Sequence, residues 1–337
     1  MLWARAEGCR VWDAEGREYL DLSGGFGVAA LGHRNVRVMA AIASAPVAHA
    51  LGDLAEAEVT QELRRNLPYP AKLGVTGEDA VEIALRTALL ATGKPGIVAF
   101  DGAYHGTGLL ALAATGFERF REPFAVWLPG PVHRRSYGED PGSLPDDTGC
   151  VIAEPVQGRA GARVPPEGWF ETLRSRCDEA GALLVVDAIY AGLGRVGEMW
   201  PGDDVADILC IGKALGGGLP LSAALFVRRE LERAWELGPE DVLTHTHVGN
   251  PLACAAALVV LDEVPTLLDR VRTAGQRFED AGWHGAGLMR ARTGDAQAAE
   301  RNGVIVIPAG EDGSLISATP ALTISDDELD EAFSRLS

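Results

Sequence analysis

Lys213 stands in DILCIGKALGGGLPLSAALFV (207–227), after one apolar run and before a bend containing Gly216, Gly217 and Gly218. Glycines let a small molecule and the backbone come close, and a lysine amine forms an imine with an aldehyde. An exposed lysine beside a turn fits the same local pattern, but the apolar flanks favour an enclosed one. Asp187 lies 26 residues earlier and ends ALLVVD (182–187), a run apolar up to that residue. A carboxylate buried there must find a partner. Beside a pyridine nitrogen it would keep that nitrogen protonated; capping of the following turn is the plainer alternative.

Other segments offer groups for a flat, anionic ligand. Thr76 and Gly77 precede a helix expected at 79–91, and free amides at a helix start bind phosphate. Glu78 and Asp79 would repel such a ligand unless their side chains turn outward, and simple helix capping fits this segment equally well. Tyr104 and His105 lie between a strand and Gly106. They supply aromatic surface and, in His105, a candidate general base, with loop packing as the alternative. Thr246 precedes Gly249-Asn250-Pro251, where Asn caps and Pro starts a helix; by itself it reads as a structural threonine.

The elements that must position these groups follow from apolar periodicity. A small hairpin is expected over 10–22 and helices over 36–50, 53–66 and 79–91, the last with Ala80, Ile83, Ala84 and Ala88 on one face. Strands follow at IVAF (97–100), CVIAEP (150–155) and 182–187, with a helix at 166–181 between the last two. Apolar strands alternating with helices predict a mostly parallel sheet covered on both faces. Ligands of such sheets gather beyond the carboxyl ends of the strands, where Asp187 lies. Further on, the pattern gives a helix from Pro251, an amphipathic segment at 267–280, a strand at 303–308 and a final helix whose Ser325 and Glu328 form a capping box. These last elements suit a smaller α+β lobe.

The bulk numbers exclude several classes. A chain of 337 residues with 47% hydrophobic residues buries a sizeable core. A net charge of -18 with no basic run disfavours nucleic acid. The five cysteines are scattered and form no zinc-ligand set, so reduced thiols and a cytoplasmic location are expected, with no metal. No basic leader and no stretch of 18 or more apolar residues points to a membrane.

Taken in order, the segments resemble the class III aminotransferases of pyridoxal 5′-phosphate (PLP) fold type I. The match runs through VWDAEGREYLDLSGGFGVAALGHRNV, DGAYHGTG, AEPVQG, VVDAIYAGLGRVG, IGKALGGGLPLSA and THTHVGNPLACAAALVVLD. The resemblance implies an α/β fold: a large domain (46–262) with a mostly parallel central sheet, and a small α+β lobe from 1–45 and 263–337. It implies a PLP Schiff base on Lys213, with Asp187 against the pyridine nitrogen, Tyr104 and Ile189 on opposite ring faces, and Glu154 ordering the site. Thr76, Gly77 and Glu78 would form the phosphate nest, and Thr246 would reach the phosphate of a neighbouring subunit, which makes the protein a homodimer. The implied activity is transfer of an amino group between a primary amine or amino acid and a carbonyl acceptor. Aminomutation, racemisation or elimination on the same cofactor is an alternative, as is a catalytically degenerate scaffold. The chain departs from the family at three places. Ala188 and Tyr190 replace Glu and Gln, leaving the Tyr190 hydroxyl to rebuild contacts near the cofactor's phenolic oxygen. Glu78 stands where Ser, Thr or Ala is usual. Ser317 stands where an arginine grips the substrate carboxylate in several members, so Arg159, Arg163 or Arg195 would have to compensate.

Overall fold

The structure is a computed structural model that describes residues 1–50, 55–237 and 245–336. A seven-stranded sheet organises it, in the spatial order Ala71–Gly74, Ser222–Phe226, Ile208–Ile211, Leu183–Asp187, Thr148–Ala153, Gly96–Phe100, Val132–Arg135. Ser222–Phe226 runs antiparallel to both its neighbours, and the remaining pairings are parallel.

The central strands are buried at every position. Val98, Val151, Leu184, Val186 and Leu209 face one core layer, and their chain neighbours Ile97, Ile152, Val185 and Ile208 face the other. That alternation is what an apolar strand with both faces covered requires. Ser222 pairs with Gly74 and Ala223 with Ile211, so the carboxyl ends of Ala71–Gly74 and Ile208–Ile211 share one edge of the sheet. Thr76, Glu154, Asp187 and Lys213 all leave strands at that edge.

One layer is the helix Gly77–Thr92, ended by Gly93 at φ +67. The other includes the helix Pro251–Asp280, capped by the Asn250 side chain on the Leu252 and Ala253 amides. The sequence suggested two segments there, but the helix continues through Pro265. By length and apolar content it could cross a bilayer. Instead Ala253, Cys254, Ala256, Val260, Val264, Ala274 and Phe278 are buried in the protein core.

The smaller sheets combine the two ends of the chain. Trp3–Glu7, Arg10–Asp13 and Glu18–Asp21 form an antiparallel unit that Val304–Ile305 joins in parallel. His284–Ala286, Met289–Thr293, Leu315–Ala318 and Ile307–Ala309 form an antiparallel four-stranded sheet. The single strand expected at 303–308 is therefore two, parting at Val306 to serve different sheets. The helix expected at 36–50 ends at Ser44, because Pro46 forces Ala45 out of helical geometry. The helix expected from 53 begins at Glu58, and positions 53 and 54 lie outside the described residues. All five cysteines are free and buried.

Candidate active site

The strand ends converge on a cavity of about 520 Å³. Thr76, Gly77, Glu78, Tyr104, His105, Glu154, Asp187, Ile189, Tyr190 and Lys213 all line it. Thr246 does not: it is exposed in the turn before Asn250.

Lys213 follows Ile208–Ile211 by two residues. Gly212 is fully extended, and Lys213 then turns at φ +34, a conformation unusual for a residue with a side chain. The turn brings Nζ to 4.3 Å from the centre of the Tyr190 ring. Burial lowers the pKa of this amine; the charges of Asp187 and Glu154 act to raise it, and that of Arg159 to lower it. The chain has three lysines, and Lys213 alone among them lines the cavity. Lys94 instead donates to the Ala180 carbonyl at 2.7 Å.

Asp187 is buried at the end of its strand. Its Oδ2 lies 2.7 Å from His105 Nδ1, and its Oδ1 accepts the Ile189 amide at 3.1 Å. His105 is itself buried, and its Nε2 has no hydrogen-bond partner. Thr115 holds the His105 segment, its Oγ1 accepting the His105 amide at 3.0 Å and donating to the Gly106 carbonyl at 3.1 Å. Glu154 is buried too and accepts the Tyr104 amide at 2.9 Å. Desolvation and then the nearby Asp187 push its carboxyl well above the usual range, while the Tyr104 amide and Lys213 oppose them.

The two acidic residues that threatened the helix start are both occupied. Asp79 turns back onto its own helix, where Oδ2 accepts the Val75 and Thr76 amides at 2.9 and 2.8 Å and its amide donates to Thr76 Oγ1 at 3.3 Å. Glu78 reaches across to the next loop, its Oε2 accepting from Thr107 N at 2.8 Å, Thr107 Oγ1 at 3.0 Å and Gly108 N at 3.0 Å. The Gly77 and Glu78 amides, in the first turn, have no partner among the described residues, as expected at a helix start. Gly77 packs on Ile189: a Cβ there would come within 3.0 Å of Ile189 Cγ2.

Tyr190 fills a slot between Gly27 and Gly158, where added Cβ atoms would lie 2.9 and 2.5 Å from its ring. Its hydroxyl hydrogen-bonds Thr319 Oγ1 at 3.2 Å. Ser317, on Leu315–Ala318, is buried with its Oγ unpartnered and does not line the cavity. Of the three arginines considered, Arg195 is buried and donates to the Leu288 and Pro320 carbonyls, with burial lowering its pKa to about 10. Arg163 lies 5.3 Å over the Tyr137 ring and 3.8 Å from Asp101. Arg159 lines the cavity.

Phe26 also lines the cavity and has no place in the sequence reading. It sits at φ +60 in a left-handed turn with Gly24, Gly25 and Gly27, and is 54% exposed, so its ring is available at the cavity mouth. The glycine-rich SGGFG run is the signal that could have found it, since successive positive φ angles call for glycine.

Comparison with known proteins gives one answer. The sequence profile described as aminotransferase class-III matches residues 1–281. Acetylornithine aminotransferase of Methanopyrus kandleri is 36% identical over 362 residues, covering 98% of this chain and 92% of that protein. The 4-aminobutyrate aminotransferase GabT of Escherichia coli is 34% identical, covering 82% of this chain and 72% of that one. Among solved structures, ornithine aminotransferase of Toxoplasma gondii superposes with a TM-score of 0.89 at 26% identity, covering 99% of this chain and 89% of that chain. An amine transaminase from an uncultivated Pseudomonas species, solved in its PLP-bound form, gives 0.85 at 28% identity, covering 100% and 93%.

Proposed function

The chain belongs to the class III aminotransferase family, and from that membership we propose how this cavity carries out amino transfer with PLP. The observation that carries the proposal is that the one lysine lining the cavity and a buried strand-end aspartate open into the same space. The donor set fits the cofactor: an amine for its aldehyde, a carboxylate for its ring nitrogen, a ring and a branched side chain for its two faces, and two free amides at a helix start for its phosphate.

When bound, PLP supplies an aldehyde carbon that exchanges amines and a ring that takes up the electrons of a breaking C–H bond. Lys213 Nζ would hold the cofactor by its aldehyde carbon and, when free, would serve as the base and acid for the substrate's α proton. Burial serves this role, because an amine with a lowered pKa is unprotonated over more of the working range. Asp187 would pair with the ring nitrogen, its Oδ2 already held 2.7 Å from His105 Nδ1, an arrangement fixed before the reaction. Tyr104 and Ile189, both in the cavity wall, would flank the ring. Gly77 and Glu78 offer their amides to the phosphate, and the Glu78 carboxylate is held off by Thr107 and Gly108. Glu154 orders the Tyr104 loop through its amide.

Thr246 acts on the partner's site in a homodimer. Its exposure and its absence from the cavity lining support this, as do the exposed apolar side chains of Val36, Met39 and Leu109. Dilution into monomers should then release cofactor in step with the fall in mass. The division into 1–45, 46–262 and 263–337 is proposed on the same basis, with Val304 paired to Leu20 supporting a lobe made from both chain ends. The free thiols support a reducing, cytoplasmic location.

The test is amino transfer from a labelled amine to a keto acid, with Lys213→Ala as control. Transfer by the wild-type protein that vanishes in the variant supports the assignment. A variant as active as wild type ends it.

A further inference from the structure

Arg159 stands out among the groups facing the cavity. Glu78, Glu154, Asp187 and Tyr190 all have hydrogen-bond partners within the protein, and His105, though its Nε2 is unpartnered, is held at Nδ1 by Asp187. Arg159 and Lys213 are the two Lys or Arg side chains in the lining. Among the described residues no carboxylate pairs with Arg159.

Its surroundings fix what it can still do. The guanidinium lies 4.8 Å from the Tyr104 ring centre and 4.9 Å from that of Phe120, rings themselves 5.4 Å apart in an edge arrangement. Contact with ring faces of this kind uses none of the guanidinium's hydrogen-bond donors, which are left for another partner. Nε is buried without a partner, a state that buried donors rarely keep in the working form of a protein. The backbone is anchored as well, since the Arg159 carbonyl accepts the Gly310 amide at 3.0 Å. The result is a pre-oriented fork of donors in a partly desolvated wall. A carboxylate is the planar, two-oxygen anion that matches such a fork.

The other side of the cavity offers no rival. Ser317, Arg163 and Arg195 do not line it: Ser317 is buried, Arg163 lies by Tyr137 and Asp101, and Arg195 gives Nη1 to two carbonyls while its buried Nη2, also without a partner, stays behind the wall. We propose that Arg159 holds the substrate's carboxylate, so that the donors and acceptors of this enzyme are carboxylated amino and oxo compounds, gripped from the Tyr104 side. The inference rests on the functional reading above only for the words donor and acceptor, because carboxylate binding can be measured without turnover.

The experiment uses holoenzyme and compares glutarate with its neutral diamide by calorimetry, in wild type, Arg159→Met and Arg159→Lys. Retained cofactor in each variant shows that the site is intact. Wild type should prefer glutarate by about 10–100-fold, the range for one charge-assisted pair. Arg159→Met should erase that preference, and Arg159→Lys should restore only part of it. In parallel, 4-aminobutyrate should convert faster than 4-aminobutyramide in wild type, and Arg159→Met should lose this advantage mainly through KM. The inference is overturned if wild type binds the two glutarate compounds alike or binds neither, or if Arg159→Met keeps the preference. If the binding preference holds while no amine is converted, Arg159 stands and the amino-transfer assignment of this cavity falls.

Discussion

Replacing Glu78 should weaken the fold and strengthen cofactor binding at the same time. One of its oxygens receives three donors, two from Thr107 and one from Gly108, at the start of the short helix Leu109–Ala114. Thr107 is exposed, so water takes over part of this work once the carboxylate is gone. Glu78→Ala then resembles the loss of a helix cap with some charge–dipole attraction, at about 1–2 kcal/mol. Glu78→Gln keeps one acceptor oxygen and loses the charge, costing roughly half as much. Both changes remove a negative charge close to the amides proposed to hold the phosphate. At an intermediate effective dielectric this is worth about 1 kcal/mol, or roughly fivefold in affinity. The Gln variant is the cleaner probe because it disturbs the Thr107 loop less. Urea unfolding of the apoprotein gives the first quantity, and fluorescence titration with PLP gives the second. A Gln variant that binds PLP more weakly than wild type, with apoprotein stability unchanged, would refute this account of Glu78.

Three further outcomes are expected. Burial lowers the Lys213 pKa, so capture of PLP by apoprotein should rise with pH to a midpoint below that of an exposed lysine. Arg159→Met should move that midpoint up and Asp187→Asn should move it down, and stopped-flow absorbance that shows either shift with the opposite sign would contradict the electrostatics. Asp207 is buried and accepts from Arg174 Nη1 at 2.7 Å, Arg228 Nη1 at 3.3 Å and the Leu184 amide at 2.6 Å. Because both arginines keep some solvent contact, Asp207→Asn should cost about 2–4 kcal/mol, less than the upper range for a broken buried pair, and a change under 0.5 kcal/mol in urea unfolding would count against it. Gly158→Ala places a Cβ 2.5 Å from the Tyr190 ring, which must move beside Lys213. A kcat loss of about 10–100-fold with cofactor retained is expected from such a displacement, and wild-type kcat would show that Tyr190 does not position the amine.

The central sheet was legible because its strands are buried on both faces and so read as continuous apolar runs ending in Glu154-Pro155 or Asp187. The order of Thr76, Tyr104, Glu154, Asp187 and Lys213 was legible too, since each lies at or just beyond the carboxyl end of a strand. Contacts across long sequence separations were not. Nothing local says that His105 would lie against Asp187, or that Glu78 would turn to Thr107 and Gly108 instead of toward a phosphate. The division of 303–308 between two sheets was hidden because an apolar run does not reveal which partner it pairs with. The helix from Pro251 and the segment at 267–280 are one element, continuous through Pro265, while Pro46 explains a helix shorter than its periodicity. The scarcity of lysine was visible in the composition, and it makes Lys213 more conspicuous than its glycine-rich surroundings do.

That scarcity also makes the decisive measurement simple. Holoenzyme is reduced with borohydride, which converts a cofactor imine into a stable secondary amine, then digested and mapped by mass spectrometry. The phosphopyridoxyl group is expected on the peptide containing Lys213. Finding it on Lys72 or Lys94, or finding no lysine modified in protein that carries out amino transfer, would contradict the assignment on which the rest depends.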